Sequence, residues 1–87
     1  MNIADHLTKQ HIARIVQESI ASILTTIAPG EIRGDQSLAD YGADSVDRVE
    51  IILSIMRRAG INEPMSSFSS IPNIGSLIDF VHAARRP

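Results

Sequence analysis

The sequence predicts an all-α fold, an antiparallel four-helix bundle with a short third helix and a long loop between helices one and two. Three stretches place aliphatic residues three and four positions apart, which is the spacing of one helix face, and Pro or Gly residues separate these stretches. A length of 87 residues suits one domain, because a second hydrophobic core would not fit. Hydrophobic residues make up 44% of the chain and aromatic residues only 3%, so we expect residues 1–87 to enclose a small aliphatic core.

The first helix is predicted from about Asp5 to Ile27. Its aliphatic residues recur on one face, and they are Ile12, Val16, Ile20, Ile23 and Ile27. Ala28-Pro29-Gly30 ends this helix, because proline lacks the next backbone donor and glycine accepts turn conformations. The stretch from Glu31 to Asp44 is rich in Gly, Asp and Ser and therefore predicts an ordered loop. Scattered apolar residues would hold it to the core, namely Ile32, Leu38 and Tyr41.

The second helix is predicted from Val46 to Ala59. Asp44 and Ser45 are both good N-cap residues, and a glycine follows the last helical position. The apolar side chains of this helix spread over roughly 220° of its circumference, about twice the width that packing against one core needs. The excess is either covered on both sides by the same domain or forms a partner-binding strip that includes Val46 and Leu53. The two interpretations are compatible.

Two shorter elements complete the chain. The serine-rich stretch from Pro64 to Pro72 has weak helix propensity and predicts at most a short turn. Its apolar residues would hold that turn to the core, and they are Met65, Phe68 and Ile71. Asn73 is a suitable cap for a final helix from Ile74 to about Ala84.

The composition excludes several classes of function. The chain has no cysteine, so it has neither a thiol nucleophile nor a thiolate metal site. No apolar run approaches the ~20 residues that span a bilayer, and the start of the chain lacks the pattern of a secretory signal. A net charge of −2 argues against general nucleic-acid binding. We therefore expect a cytoplasmic, monomeric protein that binds neither nucleic acid nor membrane.

Catalytic and metal-binding residues are not predicted. The histidines are the candidate bases, but none lies beside Ser45 in sequence, and they are His6, His11 and His82. The acids at the start of the second helix lack the regular ligand spacing of a calcium loop. The sequence therefore does not favour an enzyme.

One motif, at the start of the second helix, is typical of a single protein family. Gly42-Ala43-Asp44-Ser45, followed by an aliphatic residue and an acid at the start of the second helix, resembles the attachment site of acyl carrier proteins. The resemblance covers the whole chain, because the order of helices and loops matches the four-helix layout of that family. It implies that a phosphopantetheinyl transferase esterifies the Ser45 hydroxyl with 4′-phosphopantetheine, whose terminal thiol holds an acyl group as a thioester. A chain without cysteine agrees with an imported thiol.

The position of Ser45 supports this role on physical grounds. A phosphate on its hydroxyl would lie near the unpaired amides that begin the helix, an anion site worth about 0.3–1 kcal/mol when exposed. The structural alternative is that Ser45, or Asp44 beside it, merely caps the helix. Asp44 stands in the motif, so we expect the transferase to recognise it. Its alternative role is that of an acid favoured by the helix dipole.

Charged residues of the second helix are candidates for contacts with partner enzymes. Asp47 and Glu50 would attract basic partner surfaces or, alternatively, are solvated acids at a helix start. Arg48 opposes the helix dipole and falls inside the apolar arc, so it either pairs with a nearby acid or contacts a particular partner. Arg57 and Arg58 depart from the glutamates that commonly continue this helix in the family. The expected partner-binding residues are thus Val46, Asp47, Arg48, Glu50, Leu53 and Arg57.

The stretch from Asp44 to Glu50, Asp-Ser-Val-Asp-Arg-Val-Glu, resembles the free-standing donor carriers of polyketide β-branching cassettes more than fatty-acid carriers. This implies a malonyl group that a decarboxylating enzyme turns into acetyl, for presentation to a hydroxymethylglutaryl synthase-like enzyme. Acyl-loading and condensing enzymes are the other implied partners. The alternatives within the family are a fatty-acid carrier, a peptidyl carrier and an excised domain of a megasynthase.

Two further interpretations concern other surfaces. A small helical DNA-binding module is the alternative from another class, with phosphate contacts from Arg57, Arg58, Arg85 and Arg86. Acids beside its recognition helix weigh against it. Within the carrier interpretation, weak helix propensity from Ser66 to Ser70 suggests that the core opens between this stretch and the second helix to admit a short acyl chain.

Overall fold

The computed structural model describes residues 8–85, and every regular element in this part of the chain is helical. The α-helices are α1 (Lys9–Ile23), α2 (Ser45–Ala59) and α3 (Ile74–Arg85). Short 3₁₀ helices occur at Pro29–Glu31, Ala39–Tyr41 and Met65–Phe68. The all-α prediction is confirmed, and the 3₁₀ helix Met65–Phe68 stands where the short third helix was predicted.

Helix α1 is shorter at its C-terminal end than its periodicity predicts. The Thr8 hydroxyl caps its start by accepting from the His11 N–H at 3.1 Å, and the predicted start at Asp5 lies outside the described residues. The helix ends at Ile23, because the backbone angles of Leu24 are no longer helical. The predicted end at Ile27 is wrong because the run from Thr25 to Ile27 is β-branched, which lowers helix propensity.

The core lies between the three α-helices. Its most buried side chains come from one face of each helix and from the Met65–Phe68 turn: Ile12, Val16, Ile20, Ile51, Ile55, Phe68, Ile74 and Val81. The rings of Phe68 and Phe80 meet edge to face, with centroids 5.0 Å apart. For α1 the periodicity correctly identified the buried face, which carries Ile12, Val16 and Ile20.

The connection between α1 and α2 is ordered along its length. Ile32 is buried, and Leu38 and Tyr41 pack against the core, as predicted. The Tyr41 hydroxyl accepts from the Arg33 N–H at 2.7 Å and donates to the Glu31 carbonyl at 3.3 Å. The aromatic side chain therefore ties the two ends of this loop together.

The same loop is attached to the start of α3. The Ile74 N–H donates to the Gln36 carbonyl at 2.9 Å, and the Gly75 N–H donates to the Gly34 carbonyl at 2.8 Å. These amides begin a helix and have no partner inside it, so the loop supplies their acceptors. A Cβ atom on Gly75 would lie 3.2 Å from the Gly34 oxygen. The close approach of the two backbones therefore favours glycine at this position.

Helix α3 begins as predicted. The Asn73 side-chain oxygen accepts from the Ser76 N–H at 2.8 Å, and the helix continues to Arg85, one residue beyond the predicted Ala84. None of the helices within residues 8–85 combines the length and the apolar character needed to cross a bilayer.

Candidate functional site

A glycine turn leads the chain into α2. Gly42 has a φ of 91°, in the left-handed region that residues with a Cβ atom adopt only at a cost. Its N–H donates to the Ala39 carbonyl at 2.9 Å, and the Ala43 N–H donates to the Leu38 carbonyl at 3.2 Å. This turn ends the Ala39–Tyr41 segment and places the next residue, Asp44, at the cap of α2.

Asp44, and not Ser45, is the residue that caps α2. Its carboxylate accepts from the Asp47 N–H at 2.8 Å, and the Asp47 carboxylate accepts from the Asp44 N–H at 3.3 Å. This reciprocal capping box satisfies two amides at the helix start. Of the two caps that the sequence allows, the structure uses Asp44, which leaves the neighbouring serine free of that task.

Ser45 is the first residue of α2 and is exposed to solvent. Its hydroxyl takes no part in the capping box. The N–H groups of Ser45 and Val46 also lie outside the box, and amides at these positions have no acceptor within a helix. A phosphate ester on the Ser45 oxygen would therefore lie beside two available backbone donors. The local structure fits such a group, because helix starts favour anions.

A cleft of about 570 Å³ borders Ser45. Its first wall is α2, its second is the loop at residues 37–39, and its third is formed by residues 68–74. Exposed residues, among them Ser45, Ser69 and Ser70, form the rim. The most buried lining residues are apolar, and they are Ile52, Phe68, Ile74 and Leu77. The cleft therefore combines a polar rim at the serine with an apolar floor.

Arg48 lines the same cleft, one helical turn after Ser45. This half-buried side chain donates from Nη2 to the Phe68 carbonyl oxygen at 3.0 Å. It joins α2 to the Met65–Phe68 turn. The ion pairs within residues 8–85 lie elsewhere, at Lys9–Asp79 and Arg33–Asp35. Arg48 is thus not paired with an acid in this part of the chain, and its contact with Phe68 was not among the predictions from the sequence.

The wide apolar arc of α2 divides into a buried side and an exposed side. Ile51, Ile52, Ile55 and Met56 are in the core, whereas 67% of Val46, 41% of Val49 and 45% of Leu53 are exposed. The three exposed residues are spaced three and four positions apart and so form one strip along the helix. The domain itself therefore covers one side of the apolar arc, and contact of the exposed strip with a partner stays a prediction. Val49 was not among the predicted partner-binding residues, although its spacing from Val46 could have indicated it.

The charged residues beside this strip are arranged by sign. Glu50 is exposed and Asp47 is half-buried in the N-terminal half of α2, and Arg57 and Arg58 are exposed in its last turn. Acids near the start and bases near the end both complement the helix dipole. The charges thus stabilise the helix, whether or not a partner also contacts them.

The two histidines that the structure describes do not lie near Ser45. His11 is exposed in the first turn of α1, His82 is half-buried in the last turns of α3, and neither lines the cleft. His6 lies outside the described residues. Within residues 8–85, His, Asp and Glu side chains form no group of three that could hold a metal ion.

Comparisons with known proteins agree on one family. Residues 14–81 match the family described as "Phosphopantetheine attachment site". The polyketide biosynthesis acyl-carrier-protein AcpK of Bacillus subtilis (strain 168) is 29% identical over 76 residues, which cover 87% of this chain and 93% of that protein. The acyl carrier protein of Amoebophilus asiaticus (strain 5a2) is 33% identical over 73 residues, or 83% of this chain and 85% of that protein.

A longer relative is matched over a small part of its length. The non-reducing polyketide synthase adrD of Penicillium roqueforti is 36% identical over 75 residues, which are 84% of this chain but 3% of the synthase. No solved structure matches the chain.

Proposed function

The chain belongs to the acyl carrier family defined by the phosphopantetheine attachment site, and from this membership we propose that Ser45 bears the covalent 4′-phosphopantetheine. The observation that carries the proposal is that Ser45 is an exposed residue at the first position of α2, with its hydroxyl outside the capping box, and that it borders the cleft. When bound, the group supplies a terminal thiol that holds an acyl group as a thioester. The family is one of carriers rather than catalysts.

We propose that the transferase supplies the base for attachment. The Ser45 oxygen forms a bond to the pantetheine-side phosphorus of coenzyme A, the diphosphate bond breaks, and the nucleotide half of coenzyme A leaves. The hydroxyl proton must go to another group, and within residues 8–85 no histidine lines the cleft. The Asp44 carboxylate already accepts from the Asp47 N–H. We therefore assign the base to the transferase, with Ser45 as its nucleophilic substrate.

The test is the intact mass of the protein after incubation with coenzyme A and a promiscuous phosphopantetheinyl transferase. We expect the addition of one phosphopantetheinyl group, which peptide mapping locates at Ser45. An unchanged mass, or an addition on another serine, contradicts the proposal.

Asp44 has two roles that substitutions can separate. Asp44→Asn keeps an oxygen that can cap the helix, whereas Asp44→Ala removes it and lowers the free energy of unfolding by about 1 kcal/mol. We propose that the transferase also reads the charge, so both variants load about two- to fivefold more slowly, as expected for a contact worth about 0.5–1 kcal/mol. Initial loading rates and urea denaturation measure the two effects. If Asp44→Asn is loaded at the wild-type rate, the transferase does not read the charge, and Asp44 acts only as the helix cap.

The cargo we propose is a malonyl group that is decarboxylated to acetyl, with the protein acting as a free-standing donor in β-branching. Two observations support this. The stretch from Asp44 to Glu50 resembles such donors, and a polyketide biosynthesis acyl-carrier-protein matches over 93% of its own length. The proposed partners are acyl-loading and decarboxylating enzymes and a hydroxymethylglutaryl synthase-like enzyme, which would meet the Val46, Val49 and Leu53 strip. Residues 1–87 would then form a single carrier domain.

Other carrier classes remain as alternatives. The match to a small part of a polyketide synthase agrees with a domain of a larger enzyme, and fatty-acid and peptidyl carriers use the same arm. Family membership accounts for the Gly42-Ala43-Asp44-Ser45 motif, which the DNA-binding alternative leaves unexplained. Loading the purified protein with malonyl and then adding the decarboxylating enzyme distinguishes the proposed cargo, since the bound group must lose the mass of carbon dioxide.

We also propose that the cleft accepts a short acyl chain. Its apolar floor and its position between α2 and residues 68–74 support this. In the four-helix layout of the family, the Met65–Phe68 turn would take the place of the third helix and cover the chain. Acylation should shift the backbone amide resonances of Ile52 and Ile74, and unchanged resonances in a loaded sample contradict the proposal.

A further inference from the structure

Arg48 is placed where it can reach a group attached to Ser45. The two residues are three positions apart on α2 and line the same cleft. Side chains at this spacing have Cβ atoms about 5–6 Å apart, and long helical side chains lean toward the N-terminus. We therefore expect the Arg48 guanidinium to reach a group attached to Ser45 from within the same cleft.

The Arg48 guanidinium has N–H groups that are not used by its hydrogen bond to Phe68. Arginine carries five N–H groups in a planar fork, and the hydrogen bond to the Phe68 carbonyl uses one of them. Asp44 and Asp47, at the start of the same helix, each direct a carboxylate oxygen at the other's backbone N–H group in the capping box. Arg48 is also the sole cation among the residues that line the cleft. An anion entering at the rim would meet this positive charge.

The position of Arg48 is unfavourable without such an anion. A cation in the first turns of a helix is repelled by the positive end of the helix dipole. Partial burial adds a desolvation cost that one carbonyl contact offsets only in part. A phosphodiester fixed to Ser45 would offset both, because the fork of arginine matches the geometry of phosphate oxygens.

We propose that Arg48 binds the phosphodiester on Ser45 while keeping its hydrogen bond to the Phe68 carbonyl. This inference rests on the proposed attachment at Ser45. Arg48 would thus hold the phosphodiester at the rim of the cleft and connect it to the Met65–Phe68 turn. The carboxylate of a malonyl group is the other anion that the arm brings. The phosphodiester is favoured because it is held one helical turn from Arg48, whereas the carboxylate lies at the far end of the arm.

The test is a thermodynamic cycle with four samples, the unmodified and phosphopantetheinylated forms of the wild type and of Arg48→Gln. Urea denaturation gives the folding equilibrium constant of each. We expect modification to raise this constant about two- to fivefold more in the wild type than in Arg48→Gln, as a partly exposed ion pair would. Arg57→Gln removes the same charge from the exposed end of α2 and should respond to modification as the wild type does. Equal effects of modification in the wild type and Arg48→Gln overturn the proposal.

Two further comparisons separate the remaining possibilities. The wild type and Arg48→Gln are also compared with the arm as a free thiol, as an acetyl thioester and as a malonyl thioester. If modification stabilises the wild type more than Arg48→Gln only in the malonyl form, Arg48 binds the carboxylate, and the phosphodiester assignment is overturned. If Arg48→Gln does not fold, Arg48→Met takes its place in the cycle, because methionine keeps an apolar stem without the charge. Added salt should shrink the difference between the wild type and the variant, because salt screens an attraction, and a difference that grows with added salt overturns the proposal. Failure of the wild type to gain mass would instead refute attachment itself.

Discussion

Ser45→Ala is expected to abolish phosphopantetheine loading completely while leaving a folded protein. The substitution removes the oxygen that we propose as the attachment point. It leaves the helix start intact, because Asp44 makes the cap and the Ser45 hydroxyl takes no part in it. Alanine is also a good helix former, so we expect the free energy of unfolding to change by less than about 0.5 kcal/mol. Intact mass measures loading, and circular dichroism with urea denaturation measures the fold.

Ser70→Ala is the matched control for this experiment. Ser70 is an exposed serine on the rim of the same cleft, so the two variants remove the same group from neighbouring surfaces. We expect Ser70→Ala to load as the wild type does. A mass gain that persists in Ser45→Ala, or loss of the fold in that variant, would show that the role of Ser45 is misassigned.

Phe68→Ala should produce the largest loss of stability among the cleft residues. Phe68 is 1% exposed and packs edge to face on Phe80. Removal of a buried phenylalanine side chain costs about 3–5 kcal/mol. A domain of this size has a total stability on the order of 4–13 kcal/mol, so the variant would lose a large fraction of it. The free energy of unfolding in urea measures the effect.

Phe68→Leu serves as the control for that substitution. Leucine keeps an apolar side chain in the same space and leaves a smaller void, so we expect a loss of about 1–2 kcal/mol. Losses below 1 kcal/mol in Phe68→Ala would mean that the Met65–Phe68 turn is not anchored by this ring. The Phe68 carbonyl would then not be held in place as the acceptor for Arg48.

Local signals explain which helices could be predicted. The starts of α2 and α3 follow from the short-range capping residues Asp44 and Asn73. The buried face of α1 follows from the spacing of Ile12, Val16 and Ile20. The end of α1 was overestimated because Ile27 continues the apolar spacing and still packs on the core, although it lies in the turn after the helix. An apolar pattern indicates burial, and burial does not require a residue to be helical.

The site was predictable only where its residues are adjacent in sequence. The motif identified Ser45 and Asp44, but it could not decide which of them caps the helix. The contact between Arg48 and Phe68 joins residues 20 positions apart. The loop wall of the cleft likewise depends on pairing of Gly34 with Gly75. Such contacts arise from tertiary packing, which single-sequence patterns do not contain.

The capping box at the start of α2 divides two tasks between adjacent residues. Attachment of phosphopantetheine would convert the Ser45 hydroxyl into a phosphodiester, and this change would disturb a helix whose cap depended on that hydroxyl. Because Asp44 and Asp47 hold each other's backbone amides, the oxygen of Ser45 can change its chemical state without unravelling the first turn. The start of α2 would therefore keep the same structure before and after the attachment that we propose.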